Sequence, residues 1–278
     1  VFTNFGQDHL DFFEDLKTYG EAKKRFFSPK YIKIAIVNAD DRLGAELIAE
    51  NKVPTLTYGI DNPSDIFAID IKETEQGISY TVNLSEEVGF VNYALKGRFN
   101  VYNTLCASAV ARALGINLAE ISNVTHIDGR NEVFTLKNGC RAVVDFAHTP
   151  EGFKNVLNYL KSTTQGRLLC VFGCGGERDK FKRPLIAKEV SQFCDYAVVT
   201  NDNPRYENPQ SIIRDILDGM TIRYDVIEDR QTAIILALNM ATAFDTVAIL
   251  GKGAERYQEI SGRKYPFNDV EIVKKYIE

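Results

Sequence analysis

The 278-residue chain is 45% hydrophobic and 26% charged, an ordinary globular composition long enough for two domains with cores of their own. A net charge of −5 without a basic block argues against nucleic-acid binding as the main task, and no apolar run approaches the roughly 20 residues that span a bilayer. The five cysteines, Cys106, Cys140, Cys170, Cys174 and Cys194, are an odd number and read as reduced cytosolic thiols; Cys170 and Cys174 lack the second pair or the histidines of a zinc site.

The chain opens on Val1-Phe2-Thr3-Asn4 without Met, in what reads as a strand and its exit turn, so a longer parent protein is expected. A helix over about Leu16 to Phe27 puts Leu16, Tyr19, Lys23, Phe26 and Phe27 on one face, while Lys24 points elsewhere. The strand Ile32 to Val37 leads into a polar turn, Asn38 to Asp41, that opens another helix. Alternation from about Ile66 to Leu95, with Gly77 and Gly89 as turns, predicts a small antiparallel sheet. A helix from near Asn100 through Ala113 closes the first half, and a boundary near Asp128-Gly129-Arg130 divides residues 1–128 from 129–278. Beyond it, apolar runs at Ala142 to Val144, Leu168 to Phe172, Tyr196 to Val199 and Thr246 to Leu250 alternate with helical patterns. A weaker strand near Tyr224 to Ile227 precedes a helix from about Arg230 to Met240. This is βαβ arithmetic and predicts a mostly parallel α/β sheet.

Each strand of the second half ends in polar residues: Asp145 and His148; Gly173, Gly175, Gly176, Arg178 and Asp179; Asn201 to Arg205; Asp229 and Arg230; Gly251 to Glu255. Ligands of open parallel sheets bind at that edge. The cluster Asp202-Asn203-Pro204-Arg205 combines an acid, an amide and a guanidinium, a set suited to gripping an amino acid. Gly173-Cys174-Gly175-Gly176 lacks the third glycine of a dinucleotide fingerprint, and no phosphate loop of the form G-x-x-x-x-G-K-[ST] is present. Lys23, on an apolar face, can snorkel, pair with a buried acid, or lose its charge and become nucleophilic toward carbon dioxide. His9, in Asp8-His9-Leu10-Asp11, reads on its own as a turn residue or a metal ligand.

Together these residues resemble the Mur ligases, most closely the UDP-N-acetylmuramoyl-tripeptide synthetases. Thr3 to Asp11 looks like the family's T-N-x-x-x-D-H-L-D, Tyr19 to Lys23 like Y-x-x-A-K, and Asn38 to Asp41 like N-x-D-D. Gly97 to Asn103 is similar to G-x-F-N-V-x-N, Gly129-Arg130 to the start of G-R-M-E, and Asp145 to Pro150 to D-Y-A-H-T-P. Gly173 to Pro184 resembles G-x-G-G-x-R-D-x-x-K-R-P, and Asp202 to Arg205 matches D-N-P-R.

The resemblance implies the end of a central ATPase domain over 1–128, with its phosphate loop upstream, and a Rossmann-like amino-acid-binding domain over 129–278. It further implies a cytoplasmic, monomeric, ATP- and Mg2+-dependent ligase of peptidoglycan synthesis, without nucleic-acid or membrane partners. Its substrates would be UDP-N-acetylmuramoyl-L-alanyl-D-glutamate and a diamino acid, joined through an acyl phosphate. Lys23, as a carbamate, and His9 would hold magnesium. Asn100 and Asn103 would border the adenine, Arg130 and Asp145 the ribose and phosphates, and His148 the phosphate region. Arg178, Asp202, Asn203, Arg205, Gly251 and Glu255 would hold the incoming amino acid. The D-N-P-R arginine favours meso-diaminopimelate, or a like diacid such as lanthionine, over lysine. Departures from the family pattern are Asn131 for Met, Phe146 for Tyr, and Ala254 for the His of G-K-G-H-E. Rival readings are a lysine-adding or folylpolyglutamate synthetase-like ligase, and a non-catalytic amino-acid-binding fragment.

Overall fold

The computed structural model describes residues 1–50, 52–74, 76–84, 87–116 and 124–277. The chain divides into two compact units, Val1–Gly6 with Phe13–His126, and Gln7–Phe12 with Ile127–Glu278.

In the first unit, β1 (Ala35–Asn38), β2 (Thr55–Gly59), β3 (Ile66–Thr74), β4 (Gly77–Asn83) and β5 (Val88–Tyr93) form one sheet in sequence order. The expected antiparallel meander is there as β3 to β5, but β3 also pairs parallel with β2, and β2 with β1, so the sheet is mixed. Gly77 opens β4 with φ +144, whereas Gly89, expected at a turn, pairs with Val82 inside β5. Helix α1 (Leu16–Phe26) is started by Asp15, whose carboxylate accepts the Thr18 N–H. Helices α2 (Arg42–Glu50) and α3 (Phe99–Leu114) complete the unit, with Gly115 closing α3 in the left-handed region. The α1 face departs from the predicted stripe. Tyr19 and Phe27 are buried, but Leu16 and Phe26 are exposed, because only part of that face meets the core of Phe2, Val37, Leu43 and Leu47.

In the second unit, β6 (Glu132–Thr135), β7 (Arg141–Asp145), β8 (Leu168–Phe172), β9 (Tyr196–Val199), β10 (Tyr224–Val226) and β11 (Thr246–Leu250) form a sheet in the order β10-β9-β8-β11-β7-β6. All pairs are parallel except β6 with β7. Strands β8 and β11 are buried at every residue, as expected where helices cover both faces. Helices α4 (Pro150–Thr163), α5 (Lys182–Phe193) and α6 (Pro209–Leu217) carry the chain outward from β7 to β10. Helix α7 (Arg230–Met240) returns it to β11, between β8 and β7. Right-handed crossovers therefore put α7 on the face opposite α4 to α6. Thr149 and Asn208 cap α4 and α6, each followed by Pro at the first turn, so each strand exit is pinned before the helix begins. A hairpin of β12 (Tyr257–Ile260) and β13 (Arg263–Pro266), turned by Ser261 and Gly262 at positive φ, precedes α8 (Asp269–Lys274). Among the described residues no helix is long and apolar enough to cross a membrane.

Candidate active site

Because β7, β8, β9 and β11 run parallel, their carboxyl ends open on one edge of the second unit. There they enclose a cavity of about 240 Å3. Phe146 and His148 enter it from the end of β7, Gly173 to Gly175 and Arg178 from β8, Asp202, Asn203 and Arg205 from β9, and Gly251 and Glu255 from β11. Asp8 and His9 reach the same cavity from the Gln7–Phe12 segment. Of the five polar strand ends, that of β10 alone plays another part. Asp229 caps α7, accepting the Thr232 N–H at 2.8 Å, and Arg230 is fully buried.

The glycine turn after β8 is required by a close approach of two backbones. A Cβ on Gly173 would lie 2.2 Å from the Thr200 carbonyl oxygen, and one on Gly176 would lie 2.0 Å from that of Pro204. The turn thus packs on the Asp202–Arg205 loop, which explains glycines in a motif that is no dinucleotide fingerprint. Arg205 itself sits at φ +53, unusual for a side-chain-bearing residue. The conformation is held by its N–H donating to the Glu259 carbonyl at 3.0 Å and its carbonyl accepting from Ser261 at 2.7 Å. Its Nη1 donates to the Gly176 carbonyl at 2.7 Å, and Nε lies 3.4 Å from the Glu259 carboxylate. The guanidinium is therefore oriented in advance by the glycine turn after β8 and by β12.

Asn203 and Glu255 meet across the cavity wall. Asn203 Nδ2 donates to Glu255 Oε2 at 2.9 Å, and Asn203 Oδ1 accepts from the Glu259 N–H at 2.9 Å. The buried Lys252 ammonium donates to both residues, at 2.7 Å to Glu255 and 3.0 Å to Asn203. Burial would raise the Glu255 carboxyl, but the bonds from Lys252 and Asn203 hold it below the ordinary range. Elsewhere in the lining, Asp8 receives the Lys182 ammonium at 2.9 Å, with His148 Nε2 at 3.7 Å and His9 Nε2 at 3.6 Å. Burial opposes ionisation of Asp8, yet His148 and Lys182 keep its carboxyl well below the usual range. His148 Nδ1 lies 3.1 Å from the Phe146 carbonyl, which only accepts, so that nitrogen carries a proton.

The nucleotide-side candidates fall elsewhere. Asn100 and the exposed Asn103, in the first unit, bond to each other at the start of α3, where Asn100 also donates to the Lys96 carbonyl. Lys23, in the same unit, is half-buried with Nζ 4.9 Å from the centre of the Tyr19 ring. Asp145 is buried with both oxygens engaged, accepting from Asn131 N and Ala147 N at 2.7 Å each. Burial raises its carboxyl. It thereby clamps the turn that presents Arg130, whose guanidinium lies 4.4 Å from the Phe146 ring centre.

Four residues lining or backing the site were given no role of their own in the sequence reading: Asp8, Lys182, Arg183 and Lys252. A signal existed for two of them. Lys182 and Arg183 fall on the buried face of α5 with Ile186, Ala187 and Val190, the same anomaly that marked Lys23. Arg183 is fully buried and binds Glu207 through two bonds of 2.7 Å, Asp215 at 2.8 Å and the Gly175 carbonyl at 3.2 Å. Glu207 in turn accepts the Glu177 N–H at 3.0 Å. The Arg183 bonds outweigh burial and pull the Glu207 carboxyl from near 4.5 to about 2. A depressed folded value means stability that is complete above the unfolded range and lost as pH falls from about 4.5 toward 2. Glu207→Gln should therefore shrink the acid sensitivity of the second unit, read as a smaller fall in Tm between pH 5 and pH 2 (about these values). An unchanged acid profile would refute this.

Residues 1–111 match the Mur ligase middle domain, and residues 129–253 match the Mur ligase, glutamate ligase domain. The chain belongs to the Mur ligase family. It is 39% identical, over all of its own length and 58% of the relative's, to the UDP-N-acetylmuramoyl-L-alanyl-D-glutamate--2,6-diaminopimelate ligase of Caldanaerobacter subterraneus subsp. tengcongensis. Identity to the ligase of the same name from Clostridioides difficile is 40%, over 99% of this chain and 59% of that one. A solved structure of a ligase so named aligns with 99% of this chain and 59% of its own, at 34% identity and TM-score 0.57. A pseudomurein peptide ligase type C from Methanothermus fervidus shares the fold, with TM-score 0.76 at 21% identity over 98% of this chain and 62% of its own. The chain thus spans about 58% of the length of the curated relatives it matches.

Two departures from the Mur ligase motifs have a structural reading. Phe146 uses its ring, against Arg130 and edge-on to His148 at 4.9 Å, so the missing hydroxyl leaves those contacts intact. Ala254 is exposed and lines a different, larger cavity of about 530 Å3 beside Asp128 and Glu132, so its side chain lies outside the pocket that contains Glu255.

Proposed function

We propose that this chain supplies the amino-acid site of an ATP-dependent Mur ligase that joins meso-diaminopimelate to UDP-N-acetylmuramoyl-L-alanyl-D-glutamate. The observation that carries the reading is the cavity's composition: Arg178 and Arg205 offer guanidiniums for carboxylates, and Glu255 offers a carboxylate for an ammonium. A diamino diacid uses all three, whereas lysine leaves one guanidinium without a partner. The names of the relatives support that choice, and lanthionine would satisfy the same clamp. The domain boundary is proposed at Asp128-Gly129.

In this reaction ATP phosphorylates the substrate carboxylate, the amine attacks the acyl phosphate, and an amide and phosphate result. The chain's own groups orient the amine, while Lys182 supplies positive charge beside the phosphoryl-transfer region and His148 lines it. Arg130, on the turn clamped by Asp145, would hold ribose and phosphates, and Asn100 and Asn103 would border the adenine. Magnesium takes one or two protein ligands and keeps several waters, so the lack of a three-donor cluster among the described residues is compatible with it. His9 and a carbamate on Lys23 would hold the ion, which neutralises phosphoryl charge when bound. The reading implies a monomeric cytoplasmic enzyme acting on a soluble nucleotide-linked substrate.

In full-length enzyme, Arg205→Ala is expected to raise the KM for meso-diaminopimelate roughly 10- to 100-fold and leave that for ATP unchanged, since a charged hydrogen bond is worth about 1.5–3 kcal/mol. Equal effects on both constants, or faster phosphate release with L-lysine than with meso-diaminopimelate, would refute the assignment.

A further inference from the structure

Lys252 follows Gly251 in the turn after β11, and its side chain is wholly buried. Removing an ammonium from water costs several kcal/mol unless good partners compensate. Its partners are two residues of the cavity wall from different strand ends. Nζ donates to Glu255 Oε2 at 2.7 Å and to Asn203 Oδ1 at 3.0 Å, and lies 4.0 Å from Asp202 Oδ1. An ammonium only donates, so an Asn203 amide beside it must turn its oxygen inward. That orientation aims Nδ2 at Glu255, and it does so at 2.9 Å. Glu255 Oε2 therefore takes two donors, which sets the carboxylate's rotation and makes Oε1 the oxygen available to a ligand.

We infer that Lys252 is a positioning residue. Its buried ammonium, together with the Glu259 N–H that donates to the same Asn203 oxygen at 2.9 Å, fixes the amide orientation of Asn203, and it sets the rotation of Glu255, so that a preset acceptor meets the ammonium of the incoming amino acid. Lys252 does not touch the ligand, because no part of its side chain is exposed to the cavity. The inference rests on the proposed amino-acid site and adds a residue to it. It also accounts for a buried charge in a turn whose sequence is not that of a phosphate loop.

The test is steady-state kinetics of full-length wild-type, Lys252→Met and Lys252→Arg enzymes, with Tm measured for each. Lys252→Met should raise the KM for the amino acid on the order of 10- to 100-fold, with kcat and the KM for ATP within about twofold. Lys252→Arg, which keeps the charge but not its compact geometry, should fall between wild type and Lys252→Met. An unchanged amino-acid KM with a lowered Tm would make Lys252 merely structural and overturn the inference, as would a parallel rise in both KM values. Should Lys252→Met fail to fold, Lys252→Arg decides alone: a wild-type amino-acid KM there overturns the inference. Calorimetry of wild type with meso-diaminopimelate separates the two readings. Absence of binding would sink the substrate proposal, and the Lys252 comparison would then be made with the amino acid that wild type does incorporate.

Discussion

Asp269→Ala is expected to destabilise the second unit by about 3–5 kcal/mol, because it strands a guanidinium in the core. Arg230, the first residue of α7, binds Asp269, the first of α8, through Nε at 2.9 Å and Nη2 at 2.8 Å, and both side chains are fully buried. The same guanidinium donates to the Asn201 carbonyl at 3.3 Å and the Leu250 carbonyl at 3.0 Å. Those carbonyls end the regions of β9 and β11, which are not neighbours in the sheet, since β8 lies between them. Arg230 therefore ties together, across β8, the two strand ends that carry Asn203 and Glu255. At roughly 2–4 °C per kcal/mol for a unit of this size, Tm should fall by about 6–20 °C. The double substitution Asp269→Leu with Arg230→Met removes both charges and should recover much of that stability. It should still raise the amino-acid KM, because the tie between strand ends is gone. A variant Asp269→Ala as stable as wild type, or a double variant less stable than the single, would show that the pair is not a buried charge clamp.

The contrast between Arg230 and Arg205 explains what the sequence can and cannot reveal. Strands β7, β8, β9 and β11 are read nearly to the residue because parallel strands covered on both faces must be continuously apolar, and polar residues begin where the cover ends. Helix α7 is bounded as expected by Asp229 and by the end of its apolar spacing. By contrast the β12–β13 hairpin escaped notice, since β13 is exposed throughout and its Arg-Lys-Tyr-Pro carries no periodic signal. Helix α8, with six residues, is too short for one. At the site, Arg178, Asn203, Arg205 and Glu255 were visible as polar residues just past strands. That Asn203 and Glu255 bond to each other, 52 positions apart, is a product of the fold. Burial of a charge is likewise invisible in composition: Lys252 and Arg230 look like surface residues until their partners are brought to them. Asp229 and Arg230 also fitted the pattern of functional strand ends, yet β10 is an exposed edge strand and its exit serves the scaffold.

Replacing Lys23 with alanine should separate activity from stability more cleanly than any change in the second unit. Adjacent Lys24 is a structural lysine, with Nζ against Glu46 and further carboxylates from Glu50 at 3.3 Å and Glu21 at 3.7 Å. Lys23 makes no ion pair among the described residues, and its Nζ lies over the Tyr19 ring. Its removal should cost only that cation–π contact and some packing, about 0.5–1 kcal/mol. A structural role would predict the reverse ranking, with Lys23→Ala harmless to turnover. As a carbamate, the Lys23 ammonium would have given up one proton and its neutral amine would have added to carbon dioxide with loss of a second, which converts a cation into an anion able to ligate magnesium. Loss of one such electrostatic group lowers kcat by about 100- to 1000-fold. Full-length Lys23→Ala enzyme should show that loss with Tm nearly unchanged, and formate or acetate should restore part of the rate by supplying the missing carboxylate. Lys24→Ala should do the opposite, lowering Tm while turnover at a permissive temperature is kept. A Lys23→Ala enzyme with wild-type turnover would remove the carbamate from the mechanism and leave Lys23 as a half-buried cation resting on an aromatic ring.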